Sequence, residues 1–301
     1  DIVDTTKKEP TTPCYSIASG MAETILLSGG SNETVNTLMA RIRNKKKPYT
    51  FLIKTPVQID VKRLERKITA ENVLGFVEGT DLKNEIIVIT AHYDHLGKEG
   101  DVVFNGADDD GSGTVAVIEM AQAFAKAKKE GNGPRRSMLF MTVSGEERGL
   151  LGSRWYTENP VFPLPQTVCD LNIDMIGRVD KDHEGNSNYL YIIGADKLST
   201  DLYKINEEAN QRKVKLTLDY KYNDEKDPNR FYYRSDHYNF VKKGVPVIFY
   251  FNGVHKDYHK ETDEISKIDF VAMEKRTRLV FYTAWELANR DKRIGIDKKG
   301  K

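Results

Sequence analysis

The sequence predicts an α/β domain of three layers, with helices on both faces of a central mixed, mostly parallel sheet. Three observations predict it. Apolar runs recur at residues 86–89, 137–143 and 168–173 without the polar alternation of a half-exposed strand. Such runs read as strands buried on both faces, the pattern of a parallel sheet covered by helices. Stretches of helical period separate them, and each run ends abruptly in histidine, aspartate or glutamate. Charge at the carboxyl ends of buried strands is where α/β sheets bind their ligands.

Composition sets the limits. A chain of 301 residues is enough for one large α/β domain or two small ones. A formal charge of +1 creates no global field toward nucleic acid or an anionic membrane, so neither is an expected partner. No apolar run reaches the length of a membrane span. Two cysteines, Cys14 and Cys169, are too few for a disulfide scaffold, and the sequence leaves open whether they pair. The first residue is Asp1 rather than methionine, which reads as a processed product and gives the expectation of an extracytoplasmic location: periplasmic, secreted or surface-anchored.

Taken in order, residues 1–13 are polar and proline-punctuated, a tail or linker. Residues 16–27 carry Ile17, Met21, Ile25 and Leu26 at helical spacing, and residues 31–43 place Val35, Leu38, Met39 and Ile42 on one helix face. Lys45, Lys46, Lys47 and Pro48 break that helix, so residues 1–48 form an N-terminal extension. Asn32-Glu33-Thr34 matches a glycosylation acceptor, relevant only in a eukaryotic secretory setting. Residues 49–61 alternate and read as a strand, as do residues 72–78, together an antiparallel flank to the main sheet. The buried strand at 86–89 follows, then a helix over 113–129 stopped by Gly131-Asn132-Gly133-Pro134. Strand 137–143, a short helix with Leu150, Leu151 and Trp155, and strand 168–174 come next. Strand 189–193, helix 198–212 and an edge strand over 214–218 lead to a polar loop at 221–230, a rim or lid candidate. Helix 235–243, strand 245–251, a histidine-bearing loop over 252–267 and a long amphipathic helix over 270–290 complete a domain of 49–290. Residues 291–301 read as a disordered basic tail.

The chemistry sits in five strand-end loops: His92-x-Asp94, Asp108-Asp109-Asp110, Glu146-Glu147, Asp174, and the loop with His255 and His259. Mixed imidazole and carboxylate donors suit zinc or a similar divalent ion. The carboxylates exceed the needs of one tetrahedral zinc, which favours two ions about 3.5–4 Å apart sharing a bridging carboxylate. Glu146 and Glu147 are neighbours that point in different directions, so one can ligate while the other reaches a water. Each piece also has a plainer reading. A lone histidine is more often a satisfied core residue, three aspartates can cap a helix, and a Glu-Glu pair is usually solvated surface. Asp110 or Ser112 suits the cap and leaves Asp109 for metal, while His237 and Asp236 suit a bracing role.

The motifs AHYDH, NGADDDGSG, SGEERGLLGS, NIDMIGR, RSDHYNF and YHKETD, in that order over residues 72–290, resemble the M28 family of di-zinc exopeptidases. The resemblance implies a zinc-exopeptidase fold, two Zn²⁺ ions, and a peptide or dipeptide as substrate. It makes His92 and Asp174 terminal ligands of one zinc, Glu147 and His259 those of the other, and Asp109 the bridge. It implies that Asp94 accepts a hydrogen bond from the His92 ring and that Glu146 is the general base acting on a hydroxide bridging the ions. It also implies a cis Asp109–Asp110 bond. Tyr232, with Tyr233 as rival, would support the oxyanion, and Arg178 and Arg234 would hold a substrate carboxylate or pair with the acidic shell. His255 would be rim or structure. The implied activity is an aminopeptidase. The alternatives are a carboxypeptidase, a single-zinc glutaminyl cyclase, and a metal-free receptor domain, though the five ligands and Glu146 are intact. Residues 1–48 would be the remnant of a protease-associated domain.

Overall fold

In the computed structural model, which describes residues 15–60 and 67–298, the chain divides into two units at Ile68/Thr69. The first holds helices α1 (Ser19–Ser28) and α2 (Val35–Lys45). α2 begins where Thr34 and Thr37 cap each other's backbone, which places the start four residues later than periodicity alone suggests. The strand expected over 49–61 is absent: residues 49–60 carry no regular structure, and Val61 lies outside the described residues. Pro56 stands mid-run and removes a ladder donor, and alternation without a pairing strand does not make a sheet.

The second unit carries the sheet. Its elements are β1 (Val73–Val77), β2 (Leu82–His92), the hairpin β3 (Gly97–Glu99) and β4 (Val102–Phe104), and α3 (Gly111–Lys129). β5 (Arg136–Val143), α4 (Leu151–Glu158), β6 (Thr167–Ile173), β7 (Tyr189–Ile193) and α5 (Thr200–Ala209) follow. β8 (Thr217–Asp219), α6 (His237–Val241), β9 (Val247–Phe251) and α7 (Phe270–Asn289) complete it. Seven strands run in the order β1-β5-β2-β6-β9-β7-β8. The central four, β5, β2, β6 and β9, are mutually parallel, while β1 and β7 pair antiparallel at the flanks. This is the mixed, mostly parallel sheet that the sequence predicts.

β2 shows why the layers form. Ile87 and Ile89 face a core with Phe124 of α3 and Leu279 of α7. Ile86 and Val88 face the opposite core, with Tyr156 of α4 and Phe240 of α6. Successive side chains of a strand point to opposite faces, and each buried residue of this size contributes about 1.5–3 kcal/mol. A third, aromatic cluster, including Tyr191, Phe231, Phe249 and Phe251, packs at the β7–β9 side.

The expected disordered tail is tied down over its described part. Ile294 is buried in the main core, and Arg293 donates to the Thr167 carbonyl at 2.6 Å. Cys169 is wholly buried on β6, whereas Cys14 lies outside the described residues. No helix among the described residues is long and apolar enough to cross a membrane.

Candidate metal centre

Four parallel strands end at one sheet edge, so the residues just beyond them converge. β2 ends on His92, β5 leads into Glu146 and Glu147, β6 into Asp174, and β9 into the loop bearing His259. Asp109 comes from the turn before α3, where the Asp109–Asp110 peptide bond is cis. Two donor sets result: His92, Asp109 and Asp174 on one side, and His95, Asp109 and Glu147 on the other. His92 Nε2 lies 3.2 Å from Asp109 Oδ1 and 3.7 Å from Asp174 Oδ1. His259 Nε2 lies 3.3 Å from Asp109 Oδ2 and 3.1 Å from Glu147 Oε2. His95 Nδ1 comes within 2.9 Å of Glu147 Oε1.

The donors are buried yet unspent. His92 Nε2, both His95 ring nitrogens, Asp109 Oδ2 and Glu147 Oε1 have no hydrogen-bond partner. Leaving such groups unpaired costs about 1–3 kcal/mol each, and a divalent cation is the partner their chemistry suits. The residues fit zinc. Their protonation without metal points the same way. Burial acts to raise the Asp109 carboxyl, but contacts from His259 and His92 outweigh it and hold it low. Asp109 and Glu147 in turn raise His259 to about 9. Burial, with the nearby carboxylates of Asp174, Asp236 and Glu147, pushes Glu146 well up against the pull of His92. Asp109 is thus ionised and ready for a cation, while the protons sit on His259, which gives its own up when a cation binds, and on Glu146 beside the donor sets.

A shell of hydrogen bonds aims these groups. His92 Nδ1–H donates to the Asp94 backbone carbonyl at 2.9 Å, which turns Nε2 toward Asp109 and Asp174. This amends the expected role of Asp94: its carboxylate lies 3.9 Å from the ring and instead accepts the Glu146 N–H at 3.1 Å. Asp110 caps α3 through the Gly113 N–H at 2.8 Å and also receives the His92 and Met175 N–H groups. Gly113 is required there, since a Cβ would stand 2.5 Å from Asp110 and from the Ile173 carbonyl. Ser235 donates to Asp174 Oδ2 at 2.7 Å. Asp263 accepts the Asp108 and Asp109 N–H groups.

His255 is buried against Asp108, at 3.2 Å, and stands outside both donor sets. His237 donates through Nε2 to the Tyr232 carbonyl, and burial pushes it down to about 3, so its ring is neutral and braces the fold. Asp236 receives the Ser153 hydroxyl in the same buried layer.

An open cavity of about 340 Å³ adjoins the centre, lined by Asp109, Glu146 and Asp174 together with Met175, Phe231, Phe249, Phe251, Val254, Tyr258 and Arg234. Tyr232 does not line it. That side chain faces a neighbouring cavity with Lys197, Asn223 and Arg230, and part of the 221–230 loop, the expected lid, lines that second cavity. The tyrosine at the centre is Tyr258, whose ring stacks on His259 at 3.8 Å. Burial and the carboxylates of Asp109 and Asp174 push its hydroxyl up, so it keeps its proton. The two arginines also part company. Arg178 is tied to Asp257 at 2.9 Å, while Arg234 reaches the cavity. Sequence reasoning missed His95 and Tyr258. The second histidine of His92-x-x-His95 and the tyrosine directly before His259 were the available signals.

The model of peptidase family M28 matches residues 72–284. A probable zinc metalloprotease of Pyrenophora tritici-repentis is 24% identical over 90% of this chain and 64% of its own length. Aminopeptidase YwaD of Bacillus subtilis is 25% identical over 77% of the chain and 48% of its own length. Among solved structures, the aminopeptidase from Aneurinibacillus sp. strain AM-1 superposes with a TM-score of 0.57 at 23% identity, covering 76% of this chain and 50% of that one. The chain thus spans between about half and two thirds of these relatives.

Proposed function

The chain belongs to peptidase family M28, and we propose that it is a zinc-dependent aminopeptidase that uses two zinc ions and Glu146 as proton carrier. The observation that carries the two-ion reading is the position of Asp109. Its Oδ1 faces His92 and its Oδ2 faces both His95, of the second donor set, and His259 beside it, so one carboxylate serves both sides. His92 and Asp174 would hold one ion, Glu147 and His259 the other. When bound, the ions supply Lewis acidity to the scissile carbonyl and to the attacking water.

The chain supplies the rest. Glu146 lines the cavity and belongs to neither donor set, with Oε2 4.0 Å from His92 Nε2. Its carboxylate takes a proton from the attacking water and delivers it to the departing amine. A site that raises its proton affinity suits both halves of that task. Tyr258 replaces Tyr232 in the reading: its retained proton is available to the oxygen on which charge develops. The aminopeptidase assignment draws support from the name of the Bacillus subtilis relative.

The test is a mass-spectrometric time course on an unblocked peptide of mixed sequence, with zinc and with a chelator. An N-terminal ladder that the chelator abolishes is the expected result, and a C-terminal ladder would refute the assignment. Glu146→Gln should keep its zinc and lose about 10²–10⁴-fold in turnover. Full activity in that variant would remove Glu146 from the mechanism.

A further inference from the structure

We propose that Arg234 makes this cavity selective for substrates carrying a carboxylate close to the scissile bond. This rests on the two-zinc peptidase reading. The shared chemistry has two sources: an acidic first residue, or the free carboxyl terminus of a dipeptide.

Arg234 is an exposed cation at the mouth of the reaction, and among the described residues no carboxylate lies within ion-pair distance of it. The nearby Arg178 shows the contrast, being engaged by Asp257. The acids of the centre do not serve as its counter-charge either. In the two-zinc reading the carboxylates Asp109, Glu147 and Asp174 are engaged by the ions and face His92, His95 and His259, and Arg234 is left without one.

The guanidinium is also held in place. It lies over the Phe231 ring, 5.0 Å from its centroid, and its Nη2 donates to the Tyr258 hydroxyl at 3.4 Å. The backbone beneath it is anchored at both sides. Asp227 accepts the Phe231 N–H at 3.0 Å, and the next residue, Ser235, donates to Asp174. A stacked arginine keeps its remaining fork of donors free for bidentate contact with a carboxylate. Phe249, Phe251 and Val254 line the same cavity and offer apolar contact to the rest of the substrate. An apolar wall with one anchored, unpaired guanidinium fits an organic acid better than a neutral or basic group.

Two matched comparisons separate the sources. Glu-p-nitroanilide against Gln-p-nitroanilide varies only the side-chain charge, and Leu-Leu against Leu-Leu-amide varies only the terminal one. kcat/KM is measured for zinc-loaded wild type, Arg234→Ala and Arg234→Lys, with zinc content checked for each. The expected result is a preference for the acid in one pair, reduced about ten-fold or more by Arg234→Ala and partly restored by Arg234→Lys. The pair that responds identifies the source. Equal losses on all four substrates would mean that Arg234 acts only through Tyr258 and would overturn the proposal, as would unchanged ratios. If the zinc-loaded wild type cleaves none of the four, nor any unblocked peptide, the peptidase reading falls and this proposal with it.

Discussion

His95 brings an additional imidazole to the Asp109–Glu147 side of the centre, beside His259. Its Nδ1 closes to 2.9 Å on Glu147 without hydrogen-bond alignment, so the contact orients Glu147 or adds a nitrogen donor. In either case, His95→Ala should weaken zinc binding at that side by about 10–100-fold. Competition with a chromophoric chelator would then show one tight and one loosened ion. Two equally tight ions would show that His95 contributes nothing to the centre. At this scale the sequence is informative only in part. It marks which residues have the right chemistry, and Asp109, Glu147 and Asp174 do converge as their loops suggest. It does not tell Tyr232 from Tyr258, because the choice depends on which cavity each ring enters. Nor does it tell Arg178 from Arg234. That choice depends on Asp257, far off in sequence and adjacent in space.

At the scale of elements, the first turn of α3 is the joint on which the centre depends. Asp110 fastens it to the ends of β2 and β6, and Gly113 lets it pack against the Ile173 carbonyl. Gly113→Ala puts a methyl group within 2.5 Å of backbone and must displace the turn. The expected cost is about 1–3 kcal/mol, read as a lower urea midpoint, together with weaker zinc retention through Asp109. A variant of wild-type stability and zinc affinity would show that the turn yields freely. Elements with strong local signals were legible: the buried runs formed strands and the helical periods formed helices, with ends displaced by caps such as Thr34. The run over 49–61 has a comparable local signal and fails, since a strand also needs a neighbour to pair with.

For the whole molecule, the second unit contains every donor of the centre and nearly all of the buried apolar residues. Among described residues before Thr69, Leu26 alone is a buried hydrophobic. The fragment 69–301 should therefore fold cooperatively and bind zinc like the full chain. Near-UV circular dichroism and zinc titration test this, and an aggregated or molten fragment would show that the preceding residues are needed for folding.

The sequence by itself determined the layered α/β class, the run of strand-end motifs and the kinds of metal donor, because these follow from local periodicity and from side-chain chemistry. Only the tertiary structure decided that Asp94 holds the Glu146 backbone, that Tyr258 and His95 stand at the centre, and that of Arg178 and Arg234 it is Arg178 that an acid engages. Those choices rest on through-space distances set by the stagger of four parallel strands and by the packing of loops above them. No local pattern encodes such distances.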